Sequence, residues 1–194
     1  MIASASGSFM NDPNLKVLID TDSLQTRVRE LGAQITHDYA GKNLHLLAVL
    51  KGACVFLSDL MRAIDLPLSL DFIGISSYGA STKSSGEVRI TKDLDKSLAG
   101  KDVLVVEDII DTGLTLNYLM NIFLTREVNS LAVAALLDKP DRHEIETGAK
   151  YIGFTIPNHF VVGYGLDVSE LYRNLPFIAM PENPEGLFKK TNPQ

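Results

Sequence analysis

The segment Val103–Thr115 limits what this chain can fold into more than any other stretch. Val103-Leu104-Val105-Val106 runs straight into Glu107-Asp108, and a third carboxylate, Asp111, follows Ile109-Ile110. Thr112-Gly113-Leu114-Thr115 then opens into the helix-like Leu116–Arg126. An apolar run of strand length followed within one turn by a helical pattern reads as a buried strand feeding a helix. Such a strand delivers its acids to the C-terminal tip, beside hydroxyls and a glycine at a helix start. That combination suits a ligand with a diol and a phosphate. Carboxylates accept hydrogen bonds from sugar hydroxyls, and helix-terminal N–H groups hold a phosphate with the help of the macrodipole. Taken singly, the acids and threonines could be solvated groups or helix caps; their order carries the specificity. No G-x-x-x-x-G-K-[ST] loop is present.

The same rhythm recurs along the chain. Leu44–Leu50 reads as a buried strand ending in Lys51-Gly52, and Cys54–Ile64 as a helix. Ser69–Ser77 has strand character, Tyr78–Gly86 is polar, and Glu87–Thr91 resumes a strand pattern, so the polar stretch is an excursion within a hairpin. Leu131–Leu137, Tyr151–Ile156 and the short Phe160–Gly163 add strands. Leu24, Val28, Leu31 and Ile35 recur at helical spacing, predicting an amphipathic helix over Ser23–Tyr39 capped by Asp22 or Ser23. Strands alternating with helices predict an α/β fold with a mostly parallel central sheet flanked by helices. In such sheets ligands sit outside the carboxyl ends of the strands. Residues 1–14 read as a loose tail, and residues 15–194 as one domain.

Composition narrows the functional classes. A 194-residue chain, 45% hydrophobic and 22% charged, supports one sizeable core. A net charge of −6 argues against a nucleic-acid partner or an anionic membrane surface. The single cysteine, Cys54, excludes an intrachain disulfide and reads as a small apolar core residue. The four histidines show no metal-site spacing. With no basic and apolar leader and no apolar run of membrane-spanning length, a soluble, cytoplasmic protein is expected.

Glu107-Asp108-Ile109-Ile110-Asp111-Thr112-Gly113-x-Thr115 resembles the ribose-phosphate loop of type I phosphoribosyltransferases, in the form found in the hypoxanthine-guanine branch. Phe160-Val161-Val162-Gly163-Tyr164-Gly165-Leu166-Asp167 is a second match, and the likeness runs from about Lys51 to Leu175. The resemblance implies the fold of that family, with a small hood made from terminal segments. It implies Mg²⁺-dependent transfer of 5-phosphoribosyl from 5-phosphoribosyl 1-diphosphate to N9 of hypoxanthine or guanine. A homodimer or homotetramer is implied as well.

The residue roles implied follow the motifs. Glu107 and Asp108 would hold the ribose hydroxyls and assist Mg²⁺, with Asp111, Thr112, Gly113, Leu114 and Thr115 around the 5′-phosphate. Lys51, Gly52, Ser77, Tyr78 and Arg173 would hold the pyrophosphate. At Lys51-Gly52 the resemblance implies a non-proline cis peptide, and over Ser77-Tyr78 a lid that excludes water, swinging on Gly79 and Gly86. Lys139, Phe160, Val161 and Asp167 would form the base side: Lys139 on the 6-oxygen, Phe160 stacked on the purine, Val161 through its backbone. Asp167 would also hold Mg²⁺. An ammonium donates to a carbonyl oxygen but cannot accept from an amino group, which favours 6-oxopurines over adenine. Asp111 is the candidate general base for the N7 proton. A helix N-terminus favours its carboxylate form and the neighbouring acids oppose it, so a supporting role is expected.

Two other readings share parts of this pattern. A regulator that senses phosphoribosyl diphosphate would use the same loop without catalysis, and one that binds RNA or DNA would want a basic face. A transferase for adenine, orotate or uracil would keep the loop but not the pairing of Lys139 with Phe160.

Overall fold

In the computed structural model, Met10 and residues 12–77 and 88–184 are described. In chain order the elements are β1 (Leu15–Ile19), α1 (Thr21–Asp38), β2 (Leu44–Leu50), α2 (Cys54–Ala63), β3 (Ser69–Ser77), β4 (Val88–Lys92) and β5 (Asp102–Ile110). They continue with α3 (Leu114–Leu124), β6 (Ser130–Asp138), a 3-10 turn (Pro140–Arg142), β7 (Tyr151–Thr155) and β8 (Ile178–Pro181). Six strands form one sheet in the order β4-β3-β2-β5-β6-β7. All its neighbours are parallel except the antiparallel pair β3–β4. The α/β class and mostly parallel sheet expected from the sequence are therefore found.

Successive side chains point to opposite faces and both faces are covered, so apart from His45 in β2 the central parts of β2, β5 and β6 read as continuous apolar runs. Leu44, Leu46, Ala48, Leu104, Val106, Ala134 and Leu136 face one side, packing with Leu24, Leu31 and Ile35 of α1 and Phe56, Leu57 and Leu60 of α2. Leu47, Val49, Val103, Val105, Val133 and Ala135 face the other, against Leu116, Leu119 and Phe123 of α3. Each large side chain so buried contributes roughly 1.5–3 kcal/mol, and together they fix the two layers of helix over the sheet. The ends of β2 and β5 are thereby held side by side, and the site is built there.

Three local expectations change. The N-cap of α1 is Asp20, whose carboxylate accepts from the Ser23 N–H at 2.7 Å, rather than Asp22 or Ser23. The Phe160–Gly163 segment is not a strand. It makes isolated bridges only, Val162 to Ala179 and Gly163 to Leu166, because the chain turns at once through the left-handed Gly163 and Tyr164. Cys54 is half-buried at the start of α2 rather than in the core. Antiparallel β1 and β8 form a separate two-stranded sheet, the hood expected from terminal segments.

Candidate active site

β2 and β5 end beside each other, and the turns leaving them enclose a cavity of about 310 Å³. Its lining includes Lys51 and Gly52 after β2, Glu107–Ile110 at the end of β5 with Asp111–Gly113 and Thr115 after it, and Asp167 with Arg173 from the C-terminal part. Candidates 122 positions apart in sequence thus line one cavity. The Leu50–Lys51 peptide is cis, one bond before the position expected from the resemblance.

Glu107 and Asp108 close the floor. Glu107 is buried, and burial first, then the neighbouring Asp108 charge, pushes its carboxyl well above the usual carboxylate range. Burial likewise pushes Asp108 up to about 6, against the opposing pull of the Ile109 N–H that its own carboxylate accepts at 2.9 Å. Two adjacent acids, one buried and one half-buried, on the wall of a cavity call for a cation or for donors from a ligand.

The phosphate loop follows. Gly113 takes a left-handed conformation (φ 82°) as the N-cap of α3, and no side chain caps that helix. Thr112 Oγ1 accepts from the Leu114 N–H at a long 3.4 Å. Leu114–Leu124 is helical, two residues earlier than the apolar spacing predicts. The helix therefore begins inside the motif and aims its N-terminus at the loop. Asp111, also on the cavity wall, pairs with Arg142 Nε at 2.9 Å.

Arg173, also lining the cavity, is fixed at three points. It donates from Nη1 to the Gly165 carbonyl at 2.8 Å, and its Nη2 lies 2.9 Å from Asp167 Oδ1 and 3.5 Å from Glu170 Oε2. The second Asp167 oxygen accepts the Glu170 N–H at 2.8 Å. Glu170 also pairs with Lys51 Nζ at 2.7 Å, which holds its carboxyl below the usual range. Asp167 therefore sits with the pyrophosphate candidates. Among the described residues, no group of three or more His, Cys, Asp or Glu side chains stands as a ready-made metal cage.

The base candidates lie apart. Lys139, at the exit of β6, is buried, as is Val161, while Phe160 is 39% exposed. None of the three lines the cavity that holds the acids. The Lys139 backbone N–H nevertheless donates to Ile110 O at 3.0 Å, tying the two strand exits together. Ser77 ends β3, Tyr78 and the expected lid lie outside the described residues, and so do Gly79 and Gly86. Sequence reasoning missed Arg142 and Glu170. Both are charged residues in turns, with no spacing that announces a partner 31 or 119 positions away.

Residues 20–169 match the model of the phosphoribosyl transferase domain. Over 170 residues the chain is 50% identical to a hypoxanthine-guanine phosphoribosyltransferase of Staphylococcus aureus, covering 88% of this chain and 95% of that protein. It is 51% identical to the bifunctional protein TilS/HprT of Listeria monocytogenes, spanning about a quarter (26%) of that longer chain. A solved hypoxanthine phosphoribosyltransferase structure from S. aureus superposes with a TM-score of 0.86 at 49% identity, over 91% of this chain and 98% of that one. A hypoxanthine phosphoribosyl transferase of Trypanosoma cruzi gives 0.84 at 40% identity, over 90% and 94%. With residues 20–169 matched to the domain model and half of its residues identical to a relative over 88% of its length, this chain belongs to the phosphoribosyltransferase family, in the hypoxanthine-guanine branch.

Proposed function

We propose that this chain makes purine nucleotides in salvage, joining a 6-oxopurine to the 5-phosphoribosyl group of 5-phosphoribosyl 1-diphosphate. The N9 of hypoxanthine or guanine bonds to C1 of the ribose, the C1–O bond to pyrophosphate breaks, and the N7 proton leaves the base. The observation that carries this reading is the single cavity where Glu107, Asp108 and the Asp111–Thr115 loop meet Lys51, Gly52 and Arg173. A sugar diol, a phosphate and a pyrophosphate have their chemical complements on one wall each.

The roles follow from donor and acceptor chemistry. N–H groups of Thr112–Thr115 at the start of α3 hold the 5′-phosphate. Glu107 and Asp108 accept from the ribose hydroxyls. Arg173, anchored by Gly165 and Asp167, presents its guanidinium to the leaving pyrophosphate, with the Lys51-Gly52 backbone opposite. Asp111 receives the N7 proton. Lys139 donates to the 6-oxygen, with Phe160 stacked on the base and Val161 contacting it through the backbone.

The acids also fit Mg²⁺. It keeps several waters and needs one or two carboxylates beside substrate phosphates, which the adjacent Glu107 and Asp108 on the cavity wall can supply. Asp108, Glu107 and Asp167 are the residues that would hold it, and when bound it neutralises charge on the pyrophosphate. Among the described residues no helix is long and apolar enough to cross a membrane. A cytoplasmic homodimer or homotetramer, with one catalytic domain over residues 15–194, completes the reading.

The test is direct. The protein is incubated with Mg²⁺, phosphoribosyl diphosphate and each purine or pyrimidine base in turn, and the nucleotide formed is identified. IMP and GMP are expected. Turnover of adenine, orotate or uracil alone would overturn the acceptor, and binding of the diphosphate with no turnover of any base would favour a sensing regulator.

A further inference from the structure

Asp111 is held by a residue that the catalytic reading leaves unused. Arg142 Nε donates to Asp111 Oδ1 at 2.9 Å, with both side chains a little under half exposed. Asp111 lines the cavity and Arg142 does not, so the guanidinium grips the carboxylate from outside the cavity. The grip is not a loose surface arm. Lys139 N donates to Ile110 O at 3.0 Å on one side of the pair, and Glu144 N donates to Thr112 O at 3.0 Å on the other. Arg142 itself sits in the 3-10 turn, its N–H donating to Lys139 O at 2.9 Å. Beyond it, Ile145 and Thr147 pack over the phosphate loop so closely that a Cβ on Gly113 would come within 2.8 Å of Thr147 Cγ2. The loop carrying Lys139 and the loop carrying Asp111 are therefore stapled on both sides of the ion pair.

We propose that Arg142 is a positioning residue for Asp111, fixing one carboxylate oxygen from behind so that the other is presented to the purine N7. The inference rests on the reading of Asp111 as the base. An exposed ion pair of this kind adds little to stability, so its place beside the cavity is not explained by folding. Misplacement of a catalytic group by about 1 Å, in contrast, can cost roughly 100-fold in rate. Because the same turn follows Lys139 directly, the grip also sets Asp111 in register with the residue that would recognise the 6-oxygen.

The experiment is a double-mutant cycle of R142Q and D111N, with R142K as the conservative variant, read by kcat and KM for both substrates and by thermal melting. R142Q is expected to lower kcat by about 10-fold or more while KM for the diphosphate moves less than about 2-fold. R142K should recover part of that loss, and R142Q should cost little further in the D111N background. Wild-type kcat in R142Q, or the same loss whether or not Asp111 is present, overturns the inference. If D111N itself turns over like the wild type, the base reading fails first and this inference falls with it. If D111N is slow while R142Q is not, only this inference falls.

Discussion

Gly52 presses its backbone directly onto the Asp108 carboxylate: a Cβ added at Gly52 would lie 1.5 Å from Asp108 Oδ2 and 2.5 Å from its Cγ. The turn after β2 and the acids at the end of β5 thus share one volume, and only a residue without a side chain lets both be there. Gly52→Ala is expected to fold, since the carboxylate is the group that gives way, but with Asp108 displaced. Turnover should fall by about 100-fold, with a stability loss of about 1–3 kcal/mol. Steady-state kinetics beside a urea melt separate the two, and near-normal kcat would contradict the shared volume.

Gly165 makes the same demand from the other side. Its φ is +104°, and a Cβ there would stand 2.1 Å from the Gly52 carbonyl oxygen. That neighbour is backbone, so it cannot swing aside. Gly165 also accepts from Arg173 Nη1 at 2.8 Å. Gly165→Ala should therefore be destabilised by about 2 kcal/mol or more from backbone strain and crowding. It should also bind pyrophosphate more weakly through both Gly52 and Arg173. Isothermal titration with pyrophosphate and Mg²⁺ reads the second effect; unchanged affinity would uncouple Gly165 from the site.

The acid pair gives a pH dependence of unusual sign for carboxylates. Burial raises Asp108 from 3.8 to about 6 and raises Glu107 as well. A carboxyl raised in the folded state contributes its stability fully below the unfolded value and loses it as pH rises through the folded value. For Asp108 that window runs from about 4 to about 6. Asp108→Asn should therefore gain stability relative to the wild type as pH rises from 4 to 7, read as the difference in melting temperature. A constant difference across that range would mean that Asp108 is not held up by burial.

Asp111→Asn keeps size and polarity but cannot take a proton. Diphosphate affinity by titration calorimetry should stay within a few-fold of wild type, while kcat falls by about 10²–10⁴-fold, the usual worth of an acid–base group. Parallel losses in binding and turnover would mark Asp111 as a ligand-holding residue instead.

Legibility in the sequence followed distance along the chain. Glu107 through Thr115 could be read because strand, acids, turn and helix start are contiguous, and because the β5 core residues leave no polar interruption before Glu107. The mostly parallel sheet was accessible for the same reason, as β2, β5 and β6 are buried on both faces; its strand order was not. β1 and β8 were not anticipated as individual strands: Leu15–Ile19 and Ile178–Pro181 are 5 and 4 residues long and carry no clean alternation. Phe160–Gly163 misled in the opposite sense, since an aromatic-aliphatic run resembles a strand until left-handed Gly163 and Tyr164 bend it. Arg142 and Glu170 stayed silent because a charged residue in a turn is usually solvated, and only the folded chain brings them to Asp111 and Lys51.

In the proposed reaction substrate choice falls to Lys139, which is buried just past the end of β6 with only 7% of its surface exposed. A buried ammonium carries three donors and no acceptor, so it complements a 6-oxo group and opposes a 6-amino group. Glutamine at that position can do either, because its amide both donates and accepts. Lys139→Gln should therefore lose discrimination rather than all activity. The loss of a charge-assisted hydrogen bond, about 1.5–3 kcal/mol, corresponds to roughly a 10- to 100-fold fall in kcat/KM for hypoxanthine. Adenine should rise from undetectable to measurable turnover, and KM for the diphosphate should hold, since Lys139 is off the cavity wall that carries the acids. Competing-substrate assays with hypoxanthine and adenine measure the ratio directly. An unchanged ratio would move the specificity determinant elsewhere, to Phe160 or to the backbone at Val161.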